Sequence, residues 1–349
     1  MSKELKVLWL SQEEVIKAGA HDIRYIMDSV ERVNKMYGRG ETKEADLIHL
    51  LWDDTNDSGK RMGIHGCIIN SDTENVHVAG VKSIPSNPDN PSKLGMPRNN
   101  GMVILYDEDT IYPYCVLEEG LISNMRTGIG AGLGAKYLAN QDSEVMGLIG
   151  TGPIANFAFE ATYINVPNLK KVKVYDIRKE NAERFCKKWE HTGLTFEIVD
   201  NAEAAVRDVD VLEVITISKD GDEYIKPEWL KKGAYVCEIS CWDLMQDCFK
   251  IPGVKYGMDM REGRLEYPDS SNICKAVALG NAKRENCFTL AEIMNGKVTG
   301  RTSHDDIVLY YTLGMCITDV ACSYWVYQKA REIGLGTEVE LWHEPRMGL

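Results

Sequence analysis

From Val145 onward the chain alternates short β-rich apolar runs with mostly helix-capable stretches. VMGLIG, KVKVYD, FEIVD, VLEVITIS, AYVCEIS and KYGMD follow one another in this way. That rhythm predicts βαβ units and a parallel sheet, hence an α/β fold with a Rossmann-type, doubly wound core. The preceding region has a different texture. RMGIHGCII, VHVAGVKSI, GMVILYD and IYPYCVLEE are strand-like, and a polar loop from Ser86 to Asn100 splits them. Strands in series with turn signals predict an antiparallel or mixed sheet. The opening segment LSQEEVIKAGAHDIRYIMDSVERVNKMYGRG predicts one helix, with Ser11 as N-cap and Gly38 and Gly40 ending it. GLISNMRTGIGAGLGAKYLANQ also reads as helix, its glycines admitting a second backbone at close range. Near the end, DDIVLYYTLGMCITDVACSYWVYQKAREIGLG predicts a long amphipathic helical stretch interrupted around Gly314. The expected architecture is a central α/β unit flanked by an outer domain built from both ends of the chain.

Gly150, Gly152 and Ala155 form a G-x-G-x-x-A turn between the first β-rich run and the helix-capable stretch after it. The first glycine allows the tight turn and the second lets the backbone approach a pyrophosphate. The third small residue lets the helix pack close to the strand, with its positive N-terminus facing phosphate. Asp176 closes the next strand, where a carboxylate accepts hydrogen bonds from an adenosine ribose and repels a 2′-phosphate. The expected cofactor is NAD. Arg178, two residues on, is within swing of a 2′-phosphate, so NADP is not excluded.

The 349 residues carry 40 Lys and Arg against 53 Asp and Glu, a net charge of −13. Such a balance opposes nucleic-acid binding, which depends on cations neutralising backbone phosphates. A small anionic substrate needs only two or three local cations and remains compatible. The ten cysteines contain no CxxC pair, a pattern of reduced thiols in a cytoplasmic protein rather than a disulfide framework or zinc site. The opening MSKELKVLWLSQEEV lacks the uninterrupted apolar stretch of a signal peptide, and no apolar run reaches membrane-spanning length.

Four side chains are candidates for chemistry. Lys82 leaves an apolar strand at the mouth of a polar loop. Arg126, among small and apolar residues, suits bidentate carboxylate recognition. Arg61 is a weaker candidate of the same kind. Asp243, after a strand of the α/β unit and beside Trp242 and Leu244, is placed to move a proton, although an N-cap is the plainer role; Asp247 is its rival. His65, His77 and His304 show no metal-ligand pairing, and no metal is expected.

GVKSIPSNPDNPSK, GMVILYDEDTIYPYCVLEEGLISNMRT, GLIGTGPIA and GKVTGRTSHDDIVLYYTLGMCITDVA…VYQKAREIGLG occur in the order of the ornithine cyclodeaminase/μ-crystallin family, which the chain resembles over nearly its whole length. DNPSK followed by LISNMRT is most similar to the N-(2-amino-2-carboxyethyl)-L-glutamate dehydrogenase branch. The resemblance implies an NAD-binding Rossmann domain over 128–317 and a substrate-binding and dimerisation domain over 1–127 and 318–349. It also implies a homodimer and an active site between the domains. Lys82 would then polarise the substrate, Arg126 and Arg61 would bind its carboxylate, and Asp243 would serve acid–base chemistry. The cofactor would lie against Thr127, Gly150, Thr151, Gly152, Pro153, Ile154, Asp176, Ile177, Arg178, Thr216 and Ser218. The implied activity is NAD-dependent oxidation at the α-carbon of an amino acid or N-substituted amino acid. Ornithine cyclodeamination and non-catalytic cofactor binding of the μ-crystallin kind are the alternatives. Two departures touch the substrate side: ISCWDLMQD lacks the proline and glycine that follow the family aspartate, and EADLIHLLWDDTNDSGK replaces a short arginine-bearing strand.

Overall fold

The computed structural model describes residues 4–54, 58–260 and 263–346. The chain divides into two units, Met1–Arg126 with Met315–Leu349 and Thr127–Gly314. Elements are numbered along the chain. Among the described residues, no helix is long and apolar enough to cross a membrane.

The first unit is an eight-stranded sheet. It contains β1 (Leu5–Leu10), β2 (Thr42–Glu44), β3 (Ile48–Leu51), β4 (Arg61–Ser71), β5 (Val76–Ser86), β6 (Met102–Tyr106), β7 (Pro113–Glu118) and β16 (Thr337–Trp342). The order is β16-β1-β7-β6-β5-β4-β2, with β3 also on β4. The four runs with strand-like patterning became β4 to β7, paired antiparallel in sequence order. Their inward positions, such as Cys67, Ile69, Val78, Val103 and Leu117, are buried. Against that face packs α9 (Cys316–Glu332), itself against α2 (Ile23–Arg39).

The opening segment is not one helix. Ser11 and Glu14 form a capping box for α1 (Gln12–Val15), but Gly19 adopts φ +104°, a left-handed conformation that breaks the helix. Asp22 then caps α2 by accepting from the Arg24 and Tyr25 amides, and Gly40 at φ +80° ends it; Gly38 lies inside.

The second unit holds eight parallel strands: β8 (Val145–Ile149), β9 (Lys171–Tyr175), β10 (Thr195–Ile198), β11 (Val211–Val214), β12 (Tyr235–Glu238), β13 (Lys255–Met258), β14 (Cys287–Thr289) and β15 (Val308–Tyr311). Their order is β10-β9-β8-β11-β12-β15-β13-β14, a Rossmann-type sheet whose winding reverses between β8 and β11. Its helices are α4 (Pro153–Asn165), α5 (Lys179–Trp189), α6 (Ala202–Val206), α7 (Asn272–Ala278), α8 (Leu290–Met294) and the greater part of α3 (Gly120–Leu138). The helical reading of the C-terminal stretch fails at VLYY, which is the interior strand β15 between β12 and β13. All four of its residues are buried, and a doubly covered strand shows no alternation to distinguish it from helix. The glycines of α3 do admit a neighbour: a Cβ at Gly128 would lie 2.5 Å from the Ala158 amide nitrogen, and one at Gly132 2.4 Å from the Ala161 Cβ, both on α4.

Glu213 sits in the middle of this sheet, fully buried, accepting from the Thr162 hydroxyl. Burial pushes its carboxyl up to about 7, against a small opposing effect of the Thr162 hydrogen bond. A folded-state value above the unfolded one means stability is fully present near pH 4.5 and is lost as pH rises through 7. The Glu213→Gln variant, relative to the parent, should therefore gain about 3 kcal/mol between pH 4.5 and pH 8 in denaturant unfolding. A difference independent of pH would show that Glu213 is not held protonated.

Candidate active site

In the first unit, the packing of α9 on β5 creates a buried charge cluster. Val78, Gly80 and Lys82 share one face of β5. Gly80 lacks the side chain that would hold α9 away, since a Cβ there would meet Val320 at 2.6 Å. The neighbouring Asp319 consequently reaches Lys82. The Asp319 Oδ1 accepts from Lys82 Nζ at 2.7 Å and from Arg126 Nε at 2.7 Å. Lys82 also donates to the Ser123 hydroxyl at 2.7 Å and lies 3.2 Å from Glu119 Oε1. Lys82, Glu119 and Asp319 are all buried.

Burial works to raise the Asp319 carboxyl, but the Arg126 and Lys82 charges outweigh it and hold the group well below the usual carboxylate range. Glu119 behaves oppositely. Burial, joined by the adjacent Asp319 charge, raises it well above its ordinary value despite Lys82 nearby. Lys82 and Arg126 thus bring two cations to the single oxygen of Asp319.

In the second unit, Gly150 follows β8 at φ +86°, and a Cβ there would lie 2.3 Å from the Ile215 carbonyl oxygen. Gly152 N-caps α4, with Pro153 as its first residue. A Cβ on Gly152 would meet no protein atom within 4 Å, so no packing contact requires glycine there, while a ligand backed against the turn would. Asp176 clamps the turn by accepting from the Thr151 amide at 2.9 Å and hydroxyl at 2.8 Å, and from the Arg178 amide at 2.9 Å. Burial opposes its ionisation, but these donors keep the carboxyl below its ordinary value. Beside it Ile177 is 88% exposed, and Ile217, past β11, is 81% exposed. Two isolated aliphatic side chains at the carboxyl ends of adjacent halves of the sheet suit the flat faces of a dinucleotide. Ile154 is partly buried in the first turn of α4, and Thr127 is partly buried in α3.

Thr216 and Ser218 turn toward Asp243. Their hydroxyls each donate to its carboxylate at 2.6 Å, and Ser240 donates to the same group. Asp243 is fully buried, its amide donating to Glu238. Cys241, two residues earlier, has φ +76°, a conformation costing a non-glycine residue about 1–3 kcal/mol. Burial and the neighbouring Asp243 push Glu238 up to about 8. Asp247 instead pairs with Lys250 at 2.8 Å, near the surface.

Lys82 and Arg126 thus converge, while Arg61 stands apart: it faces Ser86 across the β4–β5 ladder, and His65 faces Lys82. His65 is a packing residue, 2.9 Å from Glu44 and 2.8 Å from the Ala45 carbonyl. His77 pairs with Asn70, and His304 is exposed beside Asp142. Sequence reasoning missed Asp319, Glu119, Ser123 and Ile217. Asp319 alone left a signal, an acid among the apolar positions Ile317, Val320 and Ala321.

Residues 68–334 match the model of the ornithine cyclodeaminase/mu-crystallin family. The N-((2S)-2-amino-2-carboxyethyl)-L-glutamate dehydrogenase of Staphylococcus aureus is 32% identical over 268 residues, 76% of this chain and 78% of that protein. Among solved structures, an archaeal alanine dehydrogenase dimer with bound NAD superposes with a TM-score of 0.85 at 28% identity, covering 97% of this chain and all of that one. The Thermococcus litoralis Δ1-pyrroline-2-carboxylate reductase, in complex with NADH and L-proline, gives 0.84 at 26% identity, covering 95% of this chain and 100% of its own.

Proposed function

Since the chain belongs to the ornithine cyclodeaminase/mu-crystallin family, we propose that it is an NAD-dependent oxidoreductase acting at the α-carbon C–N bond of an amino acid or N-substituted amino acid. The observation that carries this reading is the convergence of Lys82 and Arg126 on one buried acid, Asp319. A zwitterionic amino acid offers a carboxylate to meet those two cations. Arg126 presents a planar fork for that carboxylate, and Lys82, held by Ser123 and Asp319, supplies a point charge with a fixed direction. Fixing the carboxylate fixes the α-carbon, and orientation of this kind is worth up to about 7–11 kcal/mol of an activation barrier.

The turn at Gly150 and Gly152, Asp176 and the exposed Ile177 and Ile217 would hold NAD, the ribose hydroxyls donating to Asp176. NAD bound there would supply a hydride acceptor for the substrate α-carbon. Asp243 takes or returns the proton of the substrate nitrogen or of water through the Thr216 or Ser218 hydroxyl, each able to accept while it donates. The first unit serves substrate binding and dimerisation. Its exposed apolar strand residues Ile48, Leu50, Met62, Ile68 and Met102 support a homodimer. The ten unpaired cysteines, nine of them buried, support a cytoplasmic setting.

Absorbance of NADH tests the reading against a panel of amino acids and N-carboxyalkyl amino acids. Stoichiometric NADH from a secondary-amine substrate is expected. Proline and ammonia from ornithine without net NADH would instead indicate cyclodeamination. Silence in both directions with tightly bound NAD would leave a binding protein.

A further inference from the structure

We propose that Glu238 is the positioning residue of the acid–base group: its protonated carboxyl fixes the main chain that presents Asp243, and its ionisation releases that main chain. This rests on the role given to Asp243 above. Glu238 ends β12 and is fully buried. The chain leaves the strand at Ile239, whose amide donates to the Val214 carbonyl at 3.0 Å, and then doubles back. The Asp243 amide and, at 3.1 Å, the Leu244 amide both donate to Glu238 Oε1. Two backbone donors on one side-chain oxygen set where the Asp243 main chain lies. The reversal includes Cys241 at φ +76°, a conformation that persists only when its surroundings impose it. From this backbone the Asp243 carboxylate meets the Thr216, Ser218 and Ser240 hydroxyls.

The second oxygen, Glu238 Oε2, is buried and makes no hydrogen bond of regular geometry, although the Tyr311 hydroxyl on the neighbouring β15 lies beside it. Ionised, this carboxyl would bury a poorly solvated oxygen close to the Asp243 charge; a proton on Oε2 removes both costs. The described groups facing Glu238 are Cys237 on its own strand, Cys241 and Asp243 on the loop, Tyr311 on β15, Tyr224 after β11, and Cys248 in the Gln246–Lys250 turn. None of these is cationic. Burial raises each of the thiols and tyrosine hydroxyls, so Glu238, pushed up to about 8, is the group of this set that ionises first above neutrality. Two carboxylates then oppose each other across the reversal, and the strained turn at Cys241 gives way.

Trp242 stands inside that reversal, 7% exposed, with the Lys275 ammonium 5.8 Å from its ring centroid, so its fluorescence reports the loop. The Asp220 carboxylate holds that ammonium above its ordinary value, away from the pH of interest. Emission of the full-length protein without substrate is followed from pH 6 to pH 10, the Trp242 share being parent minus Trp242→Phe. A transition near pH 8 is expected, and Glu238→Gln should lack it. With a substrate, the ratio of parent kcat to Glu238→Gln kcat should fall about tenfold between pH 7 and pH 9, the loss of protonated fraction for a group near 8, while the KM ratio stays within twofold. Taking the ratio cancels titration of the substrate. Equal pH dependence in parent and Glu238→Gln would overturn the proposal. So would a Trp242 signal flat across pH 8, a result readable from parent and Trp242→Phe alone if Glu238→Gln does not fold. Absent turnover with the Trp242 transition intact would instead count against the oxidoreductase reading.

Discussion

Replacing Lys82 or Arg126 by alanine is expected to lower kcat/KM by between about 10² and several times 10³, with NAD affinity within twofold of the parent. The magnitude follows from removing one member of a buried, hydrogen-bonded charge set, a loss of about 3–5 kcal/mol. The separation of effects follows from location: Lys82 and Arg126 belong to the first unit, while the glycine turn and Asp176 belong to the second. Steady-state kinetics beside NAD titration, with thermal unfolding of each variant as a control for folding, would check both halves. Parent-like turnover in either variant removes that residue from substrate binding.

Asp319→Ala should be the most damaging substitution for stability. It leaves the buried Lys82 and the partly buried Arg126 without the oxygen that both now contact, at a cost of about 3–5 kcal/mol in denaturant unfolding. Asp319→Asn, which keeps an acceptor but not the charge, should fall between. The pH dependence has a definite sign. A carboxyl held below its unfolded value stabilises the fold above that value and loses the contribution as pH falls through the folded one. The difference between parent and Asp319→Asn should accordingly be largest near neutrality and shrink on acidification below pH 4. An unchanged unfolding midpoint would mean that the two cations are not organised by Asp319.

What could be read from the residues differed between the two halves of the fold. β8 and α4 were legible because the glycine turn, the β-branched run and the acid closing β9 are all local signals. β15 was not, since a strand covered on both faces carries the same apolar run as a buried helix. The break at Gly19 was hidden because apolar spacing continues across it from Val15 to Ile26. Lys82 and Arg126 stood out as single charges in apolar or small-residue surroundings. Their shared partner is 237 residues from one and 193 from the other, so only the approach of α9 over Gly80 reveals it. Arg61, read as a weaker candidate of the same kind, lies opposite Ser86 on the β4–β5 ladder, while His65 lies opposite Lys82.

The central claim is that a substrate held by Lys82 and Arg126 gives its α-hydrogen to NAD as hydride. It is tested most directly by oxidising an α-deuterated substrate in ordinary water and analysing the nicotinamide product by mass spectrometry. NADH carrying one deuterium per turnover is the predicted result. NADH without deuterium, the label retained in product or lost to solvent, would contradict the account.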